Sequence, residues 1–130
     1  MNSIKIQLIL FISIVFFSCN SKSNSYDSSS SYEVDKYLEK ADQAKENNTY
    51  DNALDYNDAI VGLQTKIMVE ILKISEKNDV YEMRQQLSVI QDEIKASSTI
   101  LNKIYYNGDN SSKFKQKAQK LFNFYDRIFN

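Results

Sequence analysis

From residue 30 onward, hydrophobic residues repeat every three or four positions, which is the period of an α-helix that buries one face. The repeat is clearest in two long stretches. The first carries it at Ala53, Tyr56, Ile60, Leu63, Ile67, Ile71 and Ile74, and the second at Val80, Met83, Leu87, Ile90, Ile94, Leu101 and Ile104. Ser97 interrupts the second stretch. The pattern predicts two long amphipathic helices joined by the short polar segment "EKND".

Shorter repeats flank these two stretches. They predict a first helix over about residues 31–46 and a last helix over about residues 112–128. Their apolar positions are Val34, Tyr37, Leu38, Ala41 and Ala44 in the first helix, and Phe114, Ala118, Leu121, Tyr125 and Ile128 in the last.

Polar residues at the expected positions divide the helices. Ser30 with Glu33 and Asp79 with Glu82 have the spacing of capping boxes, and Thr49 can cap the second helix. Gly108 suits a helix stop before the last helix. Short connections favour antiparallel neighbours. We therefore expect residues 32–130 to form an all-α domain, an antiparallel bundle of about four helices with a long central hairpin.

Composition narrows the range of functions. The chain has 130 residues, of which 42% are hydrophobic and 25% are charged, as in a single globular domain. It has no histidine, which is the commonest general base and metal ligand, and one cysteine, which cannot form an internal disulfide. The net charge of −1 gives no general attraction to nucleic acid. We expect no cofactor, no metal and no nucleic-acid partner.

The N-terminus, "MNSIKIQLILFISIVFFSC", has one positive charge at Lys5, followed by an apolar run over residues 6–17. As a helix, twelve residues would span about 18 Å, well short of a hydrocarbon core of roughly 30 Å. A charged start, a short apolar stretch and a small residue at its end are typical of an export signal. We interpret residues 1–18 as a signal peptide. Two alternatives stay open for its type: an ordinary secretory signal, and a signal anchor that is not cleaved.

The end of this segment, Phe16-Phe17-Ser18-Cys19, resembles the lipobox of bacterial lipoproteins: an apolar residue, two small residues and then a cysteine. Phe16 and Ser18 fit that pattern, and Phe17 stands where a small residue is usual. The resemblance implies that Cys19 is the lipid attachment site and the first residue of the mature chain. It also implies that the N-terminal end of the mature chain is attached to a membrane through this lipid anchor.

Residues 19–31 contain many serines and no aliphatic residue, which predicts a lipidated, disordered tether before the folded domain. In the lipoprotein resemblance, sorting depends on the residue after the cysteine. Asn20 is not the aspartate that retains such proteins in the inner membrane of some bacteria. We therefore expect a bacterial cell-envelope location, at the outer membrane where there is one.

Three further patterns could carry chemistry or binding. Asp51, Asp55 and Asp58, with Glu39, Asp42 and Glu46 on the first helix, could form an acidic cation site or a solvated face. The stretch "NTYDNALDYNDAI" resembles part of a tetratricopeptide repeat, although no second repeat follows. The last helix, with Lys113, Lys115, Lys117, Lys120 and Arg127 among aromatic residues, could lie on an anionic membrane or form the fourth bundle helix.

The segment "YNDAIVGLQTKI" also resembles a set of helical bacterial surface lipoproteins to which no activity is assigned. With no glycine-rich phosphate loop, no histidine and no carboxylate pair that stands out, we expect no catalytic residues. The sequence favours a non-enzymatic binding or structural module with a protein partner in the envelope. The alternatives are an immunity or inhibitor protein acting on an exported toxin or hydrolase and, with less support, a carboxylate-dependent enzyme.

Overall fold

The computed structural model describes residues 29–107 and 112–130. The predicted signal peptide, Cys19, most of the predicted tether and the Gly108 turn lie outside these residues. The described part is mostly helical, with four α-helices and two short strands. They are α1 (Ser29–Glu46), β1 (Thr49–Tyr50), α2 (Ala53–Lys73), α3 (Val80–Lys103), β2 (Tyr105–Tyr106) and α4 (Lys113–Phe129), with a 3₁₀ turn (Ile74–Glu76) after α2.

Side-chain caps set three of the helix starts. Asp79 accepts a hydrogen bond from the Glu82 amide (2.8 Å), and the Glu82 carboxylate accepts one from the Asn78 amide (3.2 Å), so the predicted cap at Asp79 is confirmed. Ser112 caps α4, where the sequence predicts its start. The N-cap of α2 is Asn52, which accepts from the Asp55 amide at 2.8 Å.

Two of the predicted helix starts were wrong. Thr49 does not cap α2, because it lies in β1 and pairs with Tyr105. A pattern of neighbouring residues cannot predict a partner so far along the chain. The first helix begins at Ser29, so Ser30 lies inside the helix rather than at its N-cap. Serine is only a modestly poor helix former, and without Gly or Pro nearby the helix extends by two residues.

Each helix runs antiparallel to the next. On α1, Ala41 meets Gly62 of α2, and the Lys66 ammonium of α2 lies 3.0 Å from the Asp42 carboxylate. Gln86 of α3 donates to the Glu70 carbonyl (2.9 Å) and carboxylate (3.0 Å) on α2. Helix α4 packs on both α3 and α2. Helix α2 therefore lies at the centre, between α1 and the α3–α4 pair.

The two strands were not predicted. β1 and β2 form a parallel two-residue pair that joins the α1–α2 connection to the α3–α4 connection. The Tyr105 amide donates to the Asn48 carbonyl (2.9 Å), and the Asn107 amide donates to the Tyr50 carbonyl (3.1 Å). Beneath the strands, the Tyr50 ring contacts the Tyr56 ring, with centroids 5.8 Å apart. Both connections are thus fixed at the same end of the molecule, opposite the end where α1 begins.

The core follows the predicted stripes of α2 and α3 except at their first positions, Ala53 and Val80, which are exposed, and it follows those of α1 and α4 less well. The fully buried aliphatic residues are Ile60, Leu63, Ile67, Ile90, Ile94, Leu101 and Ile104. Ser97 is also fully buried, and its hydroxyl donates to the Glu93 carboxylate at 2.8 Å. On α4 the buried residues are Ala118, which the predicted stripe contained, and Phe122, which it omitted, while Phe114 and Ile128 are exposed.

Candidate functional site

A cleft of about 210 Å³ lies between α3 and α4. Its base is formed by Leu101 of α3 and Phe122 of α4, which are each 1% exposed. Four polar side chains complete its lining: Ser98 and Asn102 from α3, and Gln119 and Asn123 from α4. All four are uncharged, so the cleft offers hydrogen-bond donors and acceptors above an apolar base.

Helix geometry explains this arrangement. Ser98 and Asn102 are four residues apart, as are Gln119 and Asn123, so each pair occupies one face of its helix. The Gln119 amide donates to the Asn102 side-chain oxygen at 2.9 Å, and the antiparallel register then places Ser98 opposite Asn123. Among the described residues, the Ser98 hydroxyl and the Asn123 carboxamide have no hydrogen-bond partner. The cleft therefore keeps unused hydrogen-bonding capacity.

The two helix segments that line the cleft are rich in lysine, and their described part contains no acid. Between residues 95 and 125, the described positions contain six lysines and no aspartate or glutamate. The acid that the sequence has there, Asp109, lies outside the described residues. The lysines are Lys95 and Lys103 on α3 and Lys113, Lys115, Lys117 and Lys120 on α4, and all but Lys115 are exposed. We call these six lysines the lysine rim.

The ion pairs that the structure describes lie elsewhere in the fold. All four that the described residues form are within or between α1 and α2, and they include Lys40–Asp55 (3.2 Å) and Lys66–Asp42 (3.0 Å). The lysine rim takes part in none of them.

Lys115 links the lysine rim to the cleft. Its ammonium donates to the carbonyl oxygens of Asn102 (3.2 Å) and Ile104 (2.6 Å), which lie at the C-terminal end of α3. A cation at this position also interacts favourably with the helix dipole. Burial lowers the pKa of Lys115 from its ordinary value. Lys115 thus holds the start of α4 against the end of α3 and fixes one edge of the cleft.

The acidic residues of the predicted cation site are not brought together. Asp55 accepts hydrogen bonds from Asn52 and Lys40, which lower its pKa, and those from Lys45 and Lys66 do the same for Asp42. In the described ranges, no three potential metal ligands of the His, Cys, Asp or Glu type form a group. Asp42 and Asp55 act as ion-pair partners of lysines, and Asp55 also accepts a hydrogen bond from Asn52, the N-cap residue of α2.

The last helix takes the second of its two predicted roles. It buries Ala118 and Phe122 against the rest of the fold and so forms the fourth helix, while Phe114, Phe124 and Ile128 on the same helix are exposed. The sequence patterns identified the lysines of this helix but missed the α3 half of the cleft. The sequence feature that could have drawn attention to the end of α3 is the lysine content of residues 95–125, where lysines outnumber acids six to one.

Among the described residues, none of the helices combines the length and hydrophobicity required to cross a membrane. No protein-family model matches the chain, and no curated protein and no solved structure is significantly similar to it. The function must therefore be argued from this chain's own residues.

Proposed function

We propose that the protein is a lipid-anchored module of a bacterial cell envelope that binds a partner and has no catalytic activity of its own. The observation that carries this proposal is the lipobox-like segment Phe16-Phe17-Ser18-Cys19 at the end of a short apolar run. Acylation of Cys19 by two chains, at about 0.8 kcal/mol per buried CH₂, would hold the protein stably at a bilayer. The proposed location is the outer membrane, where there is one.

The organisation of the chain supports a module that presents its folded domain to a partner in the envelope. The proposed signal peptide covers residues 1–18 and the proposed tether leads from Cys19 to the start of α1. From there the proposed domain is an antiparallel bundle built on the α2–α3 hairpin. Helix α1 has 18 residues and thus spans about 27 Å, running away from the tether. The lysine rim occupies the half of the molecule that lies away from the tether, where an envelope partner can reach it.

The test is the intact mass of the protein extracted from its native membrane. We expect the mass of residues 19–130 plus acyl chains for the wild type. The Cys19→Ala variant should stay unprocessed or leave the membrane fraction, while Ser21→Ala, a matched change two residues away, should behave as the wild type. A wild-type protein without acyl chains in the soluble fraction would overturn the anchor.

A further inference from the structure

We propose that α4 lies along an anionic lipid bilayer through a second apolar face, which the bundle leaves uncovered. One side of the helix packs against α2 and α3 and buries Ala118 and Phe122. Another side carries a separate row of apolar residues, which we call the α4 stripe: Phe114, Leu121, Phe124 and Ile128. The proposed contact rests on the proposed lipid anchor, because the anchor is what holds the domain at a bilayer.

Helix geometry places the residues of the α4 stripe in line. They are separated by seven, three and four positions, and each position turns an α-helix by about 100°. The four side chains therefore leave the helix within an arc of about 80°, in a row about 21 Å long. Phe114, Phe124 and Ile128 are 41%, 38% and 48% exposed, and Leu121 is partly buried. The fold thus leaves much of this row in contact with water, from which a membrane interface would remove it.

A contact between α2 and α4 shows what lies beside the α4 stripe. The Tyr125 hydroxyl of α4 is 3.4 Å from the Met68 sulfur of α2. These two helices run in the same direction, since each is antiparallel to α3, so Ile128 and Leu72 both lie about one turn beyond the contact. Leu72 is 49% exposed. It therefore stands next to the end of the α4 stripe.

Leu72 and Ile128 both face away from α3. On α2, Glu70 accepts hydrogen bonds from α3, and Leu72 is two positions further, about 200° around the helix. On α4, Gln119 donates to α3, and Ile128 is nine positions further, which leaves it about 180° away. Leu72 and Ile128 thus lie on the same side of the α2–α4 pair and form one apolar surface. The cleft lies on the other side, toward α3, and would stay open to a partner.

The charges beside the α4 stripe favour an anionic surface. Four exposed basic residues lie within or next to its arc: Lys113, Lys117, Lys120 and Arg127. None of the four takes part in an ion pair among the described residues. The only acid of α4, Asp126, is two positions from Phe124 and from Ile128, so it points away from the stripe. An apolar helix face bordered by basic residues lies in the interface of an anionic bilayer, where lysine stems reach the lipid phosphates.

The lipid anchor and the α4 stripe can reach the same bilayer. Helix α1 begins at Ser29, at the end of the bundle where α2 and α4 end. Cys19 precedes Ser29 by ten residues, and ten extended residues span up to about 33–36 Å. That reach exceeds the length of the α4 stripe, about 21 Å. The domain can therefore lie on its side against the bilayer that holds its acyl chains.

The competing occupant of the α4 stripe is a second copy of the chain. A dimer through this face would bring the four basic residues of one copy near those of the other, and like charges across an interface oppose association. A dimer is therefore an outcome of the test rather than part of the proposal.

The experiment measures how much of the mature chain, residues 19–130, floats with lipid vesicles. Cys19→Ser removes the proposed acylation site, so that only the protein surface can bind. Vesicles of phosphatidylcholine are compared with vesicles of equal parts phosphatidylcholine and phosphatidylglycerol. Two variants change the proposed surface, Phe124→Gln/Ile128→Gln and Lys113→Gln/Lys117→Gln/Lys120→Gln. Their matched controls change exposed residues of the same kinds on α3, Tyr81→Gln/Val89→Gln and Arg84→Gln/Lys95→Gln/Lys103→Gln.

We expect the chain to bind the anionic vesicles, to bind the neutral vesicles much more weakly, and to dissociate as salt rises. Each variant of the proposed surface should lower the partition coefficient on anionic vesicles by at least about tenfold. Each α3 control should lower it less than about twofold. Circular dichroism should show unchanged helix content throughout, since every substituted side chain is exposed.

A second measurement uses the acylated mature protein in the same anionic vesicles. The chain has no tryptophan, so Phe124→Trp places a single indole in the α4 stripe. Its fluorescence should shift to shorter wavelength and should be quenched by brominated lipid, because the indole enters the interface. Gln85→Trp, at an exposed position of α3, should show neither effect.

Three results would overturn the proposal. They are no flotation with anionic vesicles together with an unshifted indole at position 124, equal losses in the variants and their α3 controls, and a dimer that the Phe124→Gln/Ile128→Gln change dissociates in the absence of vesicle binding. The flotation assay uses a chain without acyl groups, so its failure would leave the mass test of the anchor untouched. An unacylated native protein would likewise leave a positive flotation result in place.

Discussion

The contact between α1 and α2 depends on Gly62, and Gly62→Ala tests it directly. A Cβ atom built at Gly62 would overlap the Tyr37 carbonyl oxygen and would lie 2.8 Å from the Ala41 amide nitrogen. Both are backbone atoms of α1, so neither can move aside as a side chain could. To accept the methyl group, the two helices must separate, and Ala41 and Ala44, which are fully buried, would lose contacts.

The magnitude follows from two opposing effects. In a helix interior, alanine is favoured over glycine by about 1 kcal/mol. Overpacking a close contact costs about 1–3 kcal/mol and at times more. Because the overlap is with backbone, we place its cost at the upper end, so the net loss of unfolding free energy should be about 1–2 kcal/mol. For a domain of this size, that corresponds to a melting temperature lower by about 4–16 °C.

Urea unfolding followed by circular dichroism measures the effect, with Ala96→Gly as the matched control. Ala96 is an exposed interior position of α3, so the reverse exchange there should cost about 1 kcal/mol from helix propensity alone. Alanine should therefore be the more stable residue at position 96 and glycine at position 62. The reasoning about the α1–α2 contact would be refuted by a Gly62→Ala protein as stable as the wild type, or more stable.

Three other changes test separate features of the fold. The Tyr50 hydroxyl is buried without a hydrogen-bond partner among the described residues, so Tyr50→Phe should raise the unfolding free energy by about 1 kcal/mol in urea titrations. Burial raises the pKa of Tyr50, so the wild type should also lose stability as pH rises above about 10, and the variant should lose less. Gln86→Ala should lower the unfolding free energy by about 1–2 kcal/mol in the same assay, because the two hydrogen bonds from Gln86 to Glu70 join α3 to α2. Gln85→Ala, at an exposed neighbouring position, should change it little. Equal losses in the two variants would contradict this role of Gln86. Lys115→Met should lower the melting temperature more than Lys117→Met, since the Lys115 ammonium binds two carbonyl oxygens at the end of α3. The reverse order would show that these two hydrogen bonds do not stabilise the fold.

The helices were predictable because their signals are local. A stripe such as Ile60, Leu63 and Ile67 repeats with the helix period, and all three residues are fully buried. The cap at Asp79 is likewise set by residues within one turn. The sequence did not predict β1 and β2, because a two-residue parallel pair has no periodic pattern and its partners are 56 positions apart.

The buried face of α4 could not be chosen from the sequence with the same certainty. Aromatic residues occur around the whole helix, and the stripe that starts at Phe114 competes with the one that contains Phe122. Packing on both α2 and α3 selects the second. The position of the cleft depends on how α3 and α4 are aligned along their lengths. The spacing of hydrophobic residues within each helix does not specify that alignment. The excess of lysine over acid in residues 95–125, in contrast, was visible in the order of residues alone.

The β1–β2 pair has a consequence for how the protein would bear mechanical load. If the N-terminus is held at a membrane and a bound partner pulls on the opposite half, tension enters the fold through α1. Peeling α1 away from α2 would proceed helix turn by helix turn until it reached Asn48 and Tyr50. There the backbone is bonded to Tyr105 and Asn107, so tension passes directly to the connection between α3 and α4. The pair would thus act as a stop that protects the α2–α3–α4 core from unravelling with α1.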